Sequence, residues 1–259
     1  HVDAAGREVP ERTMFYVPDR YAAEMARRHP RYFEWVASIH PYRPDCVERL
    51  ETAVRDGARA VKWLPPAMGI DPAAPRCDRL YAALARLDVP LISHAGHEAA
   101  VDVGESQALG NPLRLRRALD HGVRVVIAHC ASLGADRDLD RGANGSMVAS
   151  FDLFARMMGE SRYEALLHAD ISAVTQRNRS AAHLRAIIER TEWHARLLNG
   201  SDYPLPGVMP LFTLEGLAGD GFITPAVAAV LKQVREHNPL LFDFALKRQL
   251  RSGGKRLAA

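Results

Sequence analysis

Three short apolar runs in this 259-residue chain each end in a side chain that can bind a metal or move a proton. They are Pro90-Leu-Ile-Ser-His94, Arg124-Val-Val-Ile-Ala-His129 and Arg196-Leu-Leu-Asn-Gly-Ser-Asp202, and a fourth run, Ala58-Arg-Ala-Val-Lys62, ends in a lysine. The steps from Lys62 to His94, His129 and Asp202 are 32, 35 and 73 residues. A barrel of eight strand–helix units in ~250 residues repeats about every 31 residues, and the last step is about two such repeats. The spacing predicts an α/β fold, a (β/α)8 TIM barrel. The four runs are then its fourth, fifth, sixth and eighth strands, each delivering one polar side chain at the C-terminal end, where barrels keep their chemistry.

Composition narrows the rest. Hydrophobic residues make up 47% and charged residues 25%, as in an ordinary globular protein. A net charge of +3, with its arginines scattered, argues against a nucleic-acid partner. No apolar run reaches the ~18 residues of a membrane span, so no membrane partner is expected. The start, His1-Val-Asp-Ala-Ala-Gly-Arg-Glu, is too polar for a signal peptide. Cys46, Cys77 and Cys130 form no CxxC and read as reduced thiols of a cytoplasmic protein.

Apolar runs near 33–39, 58–64, 89–94, 123–129, 167–174 and 196–201 read as strands alternating with helices. Asn111-Pro112 opens a helix that Gly122 closes, Asp45 caps one running to Gly57, and Ser180 caps one running to about Arg190. Gly134 to Gly145 reads as a polar loop before a helix around Met147–Met158. Two more helices, parted at Asn238-Pro239, follow Pro225, and Ser252–Arg256 reads as a loose tail. The expectation is one domain over 1–259, with 225–259 as C-terminal helices and tail. Counting back from Asp202 makes the run ending at Ile39-His40 strand 3, which leaves no room for strand 1 and little for strand 2. The natural protein is therefore expected to extend upstream of His1, or else the barrel is incomplete.

Alternation along each strand puts Ile92 with His94, Val125 and Ile127 with His129, and Leu198 and Gly200 with Asp202 on the barrel-facing side. Imidazole and carboxylate donors suit a divalent ion such as zinc, with water ionising at an open position and a further histidine moving protons. His40 either lines the pocket or lies in a solvated loop. Arg177 and Arg179, in Thr175-Gln-Arg-Asn-Arg, would suit a carboxylate-bearing substrate if they face the site, and otherwise are solvated loop arginines. By alternation Trp63 and Cys130 point away from the barrel axis.

Together, Val61-Lys62-Trp-Leu-Pro, His94-Ala-Gly, Ala128-His129-Cys and Gly200-Ser-Asp202-Tyr-Pro resemble the metal-dependent amidohydrolase superfamily, in its aminocarboxymuconate-semialdehyde decarboxylase-like branch. The resemblance spans roughly 33–210. It implies His94 as a metal ligand, His129 as a proton-transfer residue, and Asp202 as a ligand and base toward water. Lys62 would bridge two metals if carboxylated, or else contact substrate or serve the structure. Zinc is the implied ion, with manganese second. The family's strand 1 carries an HxH pair, which this sequence lacks; His1-Val2-Asp3 is the nearest approach.

Other signals fail. His97-Glu98-Ala-Ala-Val101 lacks the second histidine of a zincin helix. Asp136-Arg-Asp138-Leu-Asp140-Arg-Gly142 has arginine at the sixth position and Met147 at the twelfth of a calcium loop. The expectation is a metal-dependent hydrolase acting on an amide, ester or lactone of a small molecule, with a homo-oligomer compatible with the sequence. Its alternatives are a non-oxidative decarboxylase, a metal-free lactonase relying on Asp202 and the arginines, and a non-catalytic barrel.

Overall fold

Short parallel strands joined through helices carry the fold. The computed structural model describes residues 1–259 except Ala4, Phe15, Ala143 and Ala259. The stretch expected as one domain divides by its contacts into two compact units, His1–His168 and Ala169–Ala259, each described by itself. The expectation about strands upstream of His1 lies outside the described residues.

In the first unit, helix α1 (Asp19–Arg28) leads to strand β1 (Trp35–Ala37), and α2 (Cys46–Arg55) to β2 (Ala58–Trp63). Then come α3 (Pro65–Met68), α4 (Asp78–Arg86), β3 (Leu91–Ser93), α5 (Arg116–Asp120) and β4 (Val125–Ile127). The four strands pair in parallel in chain order, with Val61, Leu91 and Val125 on one rung and Lys62, Ile92 and Val126 on the next. Side chains on both faces are largely buried, as in parallel sheets covered by helices.

The core shows why the register holds. Trp63 is fully buried; its indole Nε1 donates to the Ile39 carbonyl at 2.8 Å, and its ring lies 5.7 Å from that of Tyr81 on α4. The Tyr81 hydroxyl donates to the Pro72 carbonyl at 2.8 Å. Both large aromatic residues thus bury apolar area while satisfying their polar atoms. Burial pushes the Cys77 thiol up to about 12 and raises Cys46 as well. All three cysteines are buried, and none forms a disulfide among the described residues.

Two local expectations need correction here. The 134–145 segment is not simply a loop before a helix. Strand β5 (Ala135–Arg137) pairs antiparallel with β6 (Met147–Ala149), and the helix, α6, starts only at Ser150 and runs to Met158. Charge pairing tightens this hairpin: Arg156 of α6 contacts Asp138 and Asp140, each at 2.7 Å. Asp45 precedes α2 but does not cap it, because its carboxylate is taken by Arg43 at 2.8 and 3.0 Å. That guanidinium also holds the Asp45 carboxyl below the usual range. Asn111 does cap as expected, accepting from the Leu113 amide, though a 3-10 turn (Pro112–Leu115) precedes the α-helical part.

Strand β7 (Leu167–Asp170) carries the chain across the boundary between the units. In the second unit its last residues pair in parallel with β8 (Leu197–Leu198), Ala169 opposite Leu197 and Asp170 opposite Leu198. Helix α7 (Ala181–Glu189) lies between them in sequence, capped by Ser180 through the Ala182 amide. Helices α8 (Leu214–Gly219), α9 (Pro225–His237) and α10 (Pro239–Gln249) follow, the last two parted at Asn238 as the sequence indicated. Phe212 and Phe242 pack edge to face at 5.7 Å, with Arg235 above both rings. The 252–256 tail is not loose. Ser252 bridges to Lys255, and its hydroxyl donates to Glu189 Oε1 at 2.5 Å.

Among the described residues no helix is long and apolar enough to cross a membrane. Because Trp63 fills the first unit's core, Trp63→Ala should lower the unfolding free energy by about 3–5 kcal/mol, whereas Ser180→Ala should cost about 1 kcal/mol. Urea unfolding followed by circular dichroism distinguishes the two.

Candidate functional site

The first unit gathers two of the expected residues. The His94 amide donates to the Trp63 carbonyl at 3.0 Å, extending the β2–β3 ladder one residue past β3. Register places Lys62 opposite Ile92, so Lys62 and His94 lie on one face of neighbouring strands. His129 follows β4, and its ring centroid lies 5.6 Å from that of His94, with the planes 63° apart. Both rings are buried.

Alternation alone would not have made this pair. Ile92 is in register with Val126, so by parity His94 shares a face with Val126 and Ala128, not with His129. The strand stops at Ile127, and His129, Cys130 and Ala131 then take left-handed backbone at φ 58, 51 and 46°. That turn ends the alternation, and the His129 ring comes to lie beside His94. Left-handed residues other than glycine cost about 1–2 kcal/mol each, and such strain concentrates at functional sites.

Glu98, discarded in the sequence as half of a broken zincin motif, is buried beside His94. Its Oε2 lies 3.7 Å from His94 Nδ1, and its Oε1 accepts from the Ala100 amide at 2.6 Å. The signal was present as a carboxylate four residues after the histidine, yet the segment is an irregular loop rather than a helix. The loops after β3 and β4 are knitted together here. The Gly96 amide donates to the Gly110 carbonyl at 2.8 Å, and the His97 amide to the Leu133 carbonyl at 2.8 Å. Gly96 sits at φ 86°, where a Cβ would stand 2.6 Å from the Leu133 oxygen, so the glycine of His94-Ala-Gly96 is sterically required.

His40 is occupied otherwise. Its Nε2 meets the Met68 carbonyl at 3.0 Å, and its Nδ1 accepts from the Tyr42 amide at 3.2 Å. A substrate could reach a ring nitrogen only by breaking one of these bonds.

In the second unit, Asp202 stands exposed four residues beyond β8, on left-handed backbone at φ 54°. Gly200 lies against the end of β7: a Cβ there would meet Ser172 Cβ at 3.3 Å and Asp170 Cβ at 3.5 Å. Asp170 Oδ1 accepts from the Ser172 amide at 2.9 Å and from its hydroxyl. Arg177 is exposed, with its amide donating to the Leu211 carbonyl, and Arg179 is half-buried, its amide donating to the Gln176 carbonyl. Asp170 escaped the sequence reading because a strand-end aspartate with a serine two residues on looks like an ordinary turn.

A structural zinc site takes four ligands and a catalytic one three from the protein. Among the described residues no group of three or more His, Cys, Asp or Glu side chains is arranged to hold an ion. His94 and Lys62 belong to the first unit and Asp202 to the second, and no step below is routed through a metal.

The family model described as Amidohydrolase matches residues 2–240. The chain therefore belongs to the amidohydrolase family and is an enzyme of that family. No curated protein matches it. Among solved structures it is similar to an uncharacterised TIM-barrel protein of Bordetella bronchiseptica, at 17% identity and a TM-score of 0.56, covering 93% of this chain and 77% of that one. It is also similar to a candidate 2-pyrone-4,6-dicarboxylic acid hydrolase of Pseudomonas putida (17% identity, TM-score 0.50, 90% of this chain and 73% of that one). A candidate enzyme of the same description from Acinetobacter baumannii, with citric acid bound, matches at 13% identity and a TM-score of 0.50, over 88% and 74%. At these identities the likeness is one of fold: α/β, with TIM-barrel neighbours.

Burial pushes His40 down to about 4, against the Met68 hydrogen bond that raises it. The native state keeps this ring neutral while the unfolded chain takes up a proton below ~6.5. Stability from His40 is complete above pH ~6.5 and is lost as pH falls toward 4, at up to about 1.4 kcal/mol per pH unit. His40→Gln should flatten that part of the profile in urea titrations between pH 7 and 4.5.

Proposed function

We propose that this chain hydrolyses an ester or lactone carbonyl of a small, carboxylate-bearing substrate. Asp202 takes a proton from water, the water oxygen adds to the carbonyl carbon, and the carbon–oxygen bond to the leaving group breaks. His129 supplies the proton that the departing oxygen requires. Arg177 and Arg179 pair with the substrate carboxylate, Lys62 contacts the substrate, and His94, steadied by Glu98, orients the His129 ring.

The observation that carries this reading is Asp202 itself. It is an exposed carboxylate held on strained backbone just past the C-terminal end of a parallel strand, the position where barrel enzymes place catalytic groups. Family membership supports it, and the Pseudomonas and Acinetobacter relatives suggest the first trial substrate. By its name, 2-pyrone-4,6-dicarboxylate is a lactone carrying two carboxylates, the chemistry two arginines would recognise. The competing reading is water activated by zinc or manganese on His94, Asp202 and a carboxylated Lys62, and the buried His94–His129 pair speaks for it.

Trial lactones, esters and amides, with carbon dioxide release followed alongside, separate hydrolysis from decarboxylation. Asp202→Asn should lower kcat by about 10²-fold or more, and His129→Asn by about 10²- to 10⁴-fold. Activity should survive chelation, whereas loss that zinc or manganese restores would replace the proposal with the metal-activated route. An unaffected Asp202→Asn would remove Asp202 from the chemistry.

A further inference from the structure

Lys247, on α10, is the most deeply buried cation of the second unit that the chemistry above does not use. Its side chain is 4% exposed, and its ammonium donates to Asp243 Oδ2 at 2.6 Å, one helical turn earlier. The same ammonium donates to the Gly200 carbonyl at 2.5 Å. Gly200 is where the segment beyond β8 closes against Asp170 and Ser172 of the strand-7 end, and Asp202 is two residues further on. The Asp170 and Asp202 carboxylates also bear on Lys247, so one cation answers three acids.

Energetics make a purely stabilising role a poor account of this arrangement. Burial pushes the Lys247 ammonium down and the Asp243 carboxyl up, and their pairing only offsets it. Asp243 Oδ1 is buried with no hydrogen-bond partner among the described residues. Replacing such a pair by apolar residues of similar volume is often neutral or stabilising, whereas removing one partner is costly. What an apolar pair cannot do is donate to the Gly200 carbonyl.

We propose that Lys247 is a positioning residue: held by Asp243, it fastens the Gly200 carbonyl and thereby sets the placement of the Asp202 carboxylate for reaction. The proposal rests on the reading of Asp202 as the base. It does not require Lys247 to touch substrate.

Four proteins test it, with 2-pyrone-4,6-dicarboxylate or the best substrate of the screen above. Lys247→Met should lower kcat at least ~10-fold with KM within ~2-fold, a split expected when binding is kept and the transition state is lost. Because that variant strands the Asp243 charge, Lys247→Met/Asp243→Leu is made beside it. It should recover the thermal midpoint but not kcat; recovery of both would show the pair to be structural only and overturn the proposal. In the Asp202→Asn background, Lys247→Met should cost less than ~2-fold further, and a full independent loss would overturn it. If Asp202→Asn is inactive while the double variant has normal kcat, the Asp202 reading stands and the Lys247 proposal falls. If Asp202→Asn is fully active, both fall. Without substrate, amide exchange over 197–204 should quicken ~10-fold or more in the double variant while α9 is unchanged; unaltered exchange there would also overturn the proposal.

Discussion

Parallel pairing in register across β2, β3 and β4 is the constraint on which the first unit depends. Strands β2, β3 and β4 meet through three rungs each, so a slip of one residue would exchange every side chain between the two faces. The two residues at the end of β2 could hardly be less interchangeable. Trp63 is fully buried with its indole nitrogen satisfied by Ile39, whereas Lys62 is half-buried and charged. A slipped register would place an ammonium in the aromatic core, where an unpaired charge is heavily penalised. Discrimination between lysine and tryptophan therefore helps pin the ladder, and the ladder fixes where His94 emerges.

What happens beyond the ladders decides the chemistry. Past β4, β7 and β8 the backbone turns left-handed at His129, Ala173 and Asp202, residues that do not favour it. Glycine at 129 or 202 would relieve the strain and remove the imidazole or carboxylate with it. Gly96 shows the opposite solution: only the turn and the approach to Leu133 are needed there, and no side chain is retained. At His129 and Asp202 the chain thus keeps a side chain that can act on strained backbone, whereas Ala173 bears the same backbone with only a methyl.

This division explains what could be read from the sequence. All six parallel strands fall inside the apolar runs that marked them, because burial on both faces leaves uninterrupted hydrophobic stretches. The 135–149 hairpin did not, since its stability comes from Arg156 meeting Asp138 and Asp140, and a run of alternating charges looks like a loop. His94 and Asp202 were visible as polar endings of apolar runs. Their immediate surroundings were not. Glu98 reaches His94 through an irregular loop, and Lys247 reaches Gly200 across 47 residues, a distance that carries no periodic signature. His40 was visible too, but both of its nitrogens are bonded to backbone groups supplied by residues 42 and 68.

The second unit adds a point about charge. A carboxylate that is to accept a proton from water must be held in place, and exposure does not secure that. Asp202 is exposed, and the chain on either side of it is short of regular structure: β8 has only two residues, and a turn follows. Turn contacts hold such a segment, among them the Leu205 amide on the Asp202 carbonyl at 3.0 Å and the Tyr203 amide on the Ser201 hydroxyl at 3.2 Å. A donor from a long helix adds to them, provided the donor is itself immobile. Lys247 has three N–H groups and a flexible stem, and burial beside Asp243 selects one arrangement of it. An exposed lysine would sample many arrangements and fasten nothing. The buried ion pair on α10 therefore extends the rigidity of an eleven-residue helix to the loop that carries Asp202.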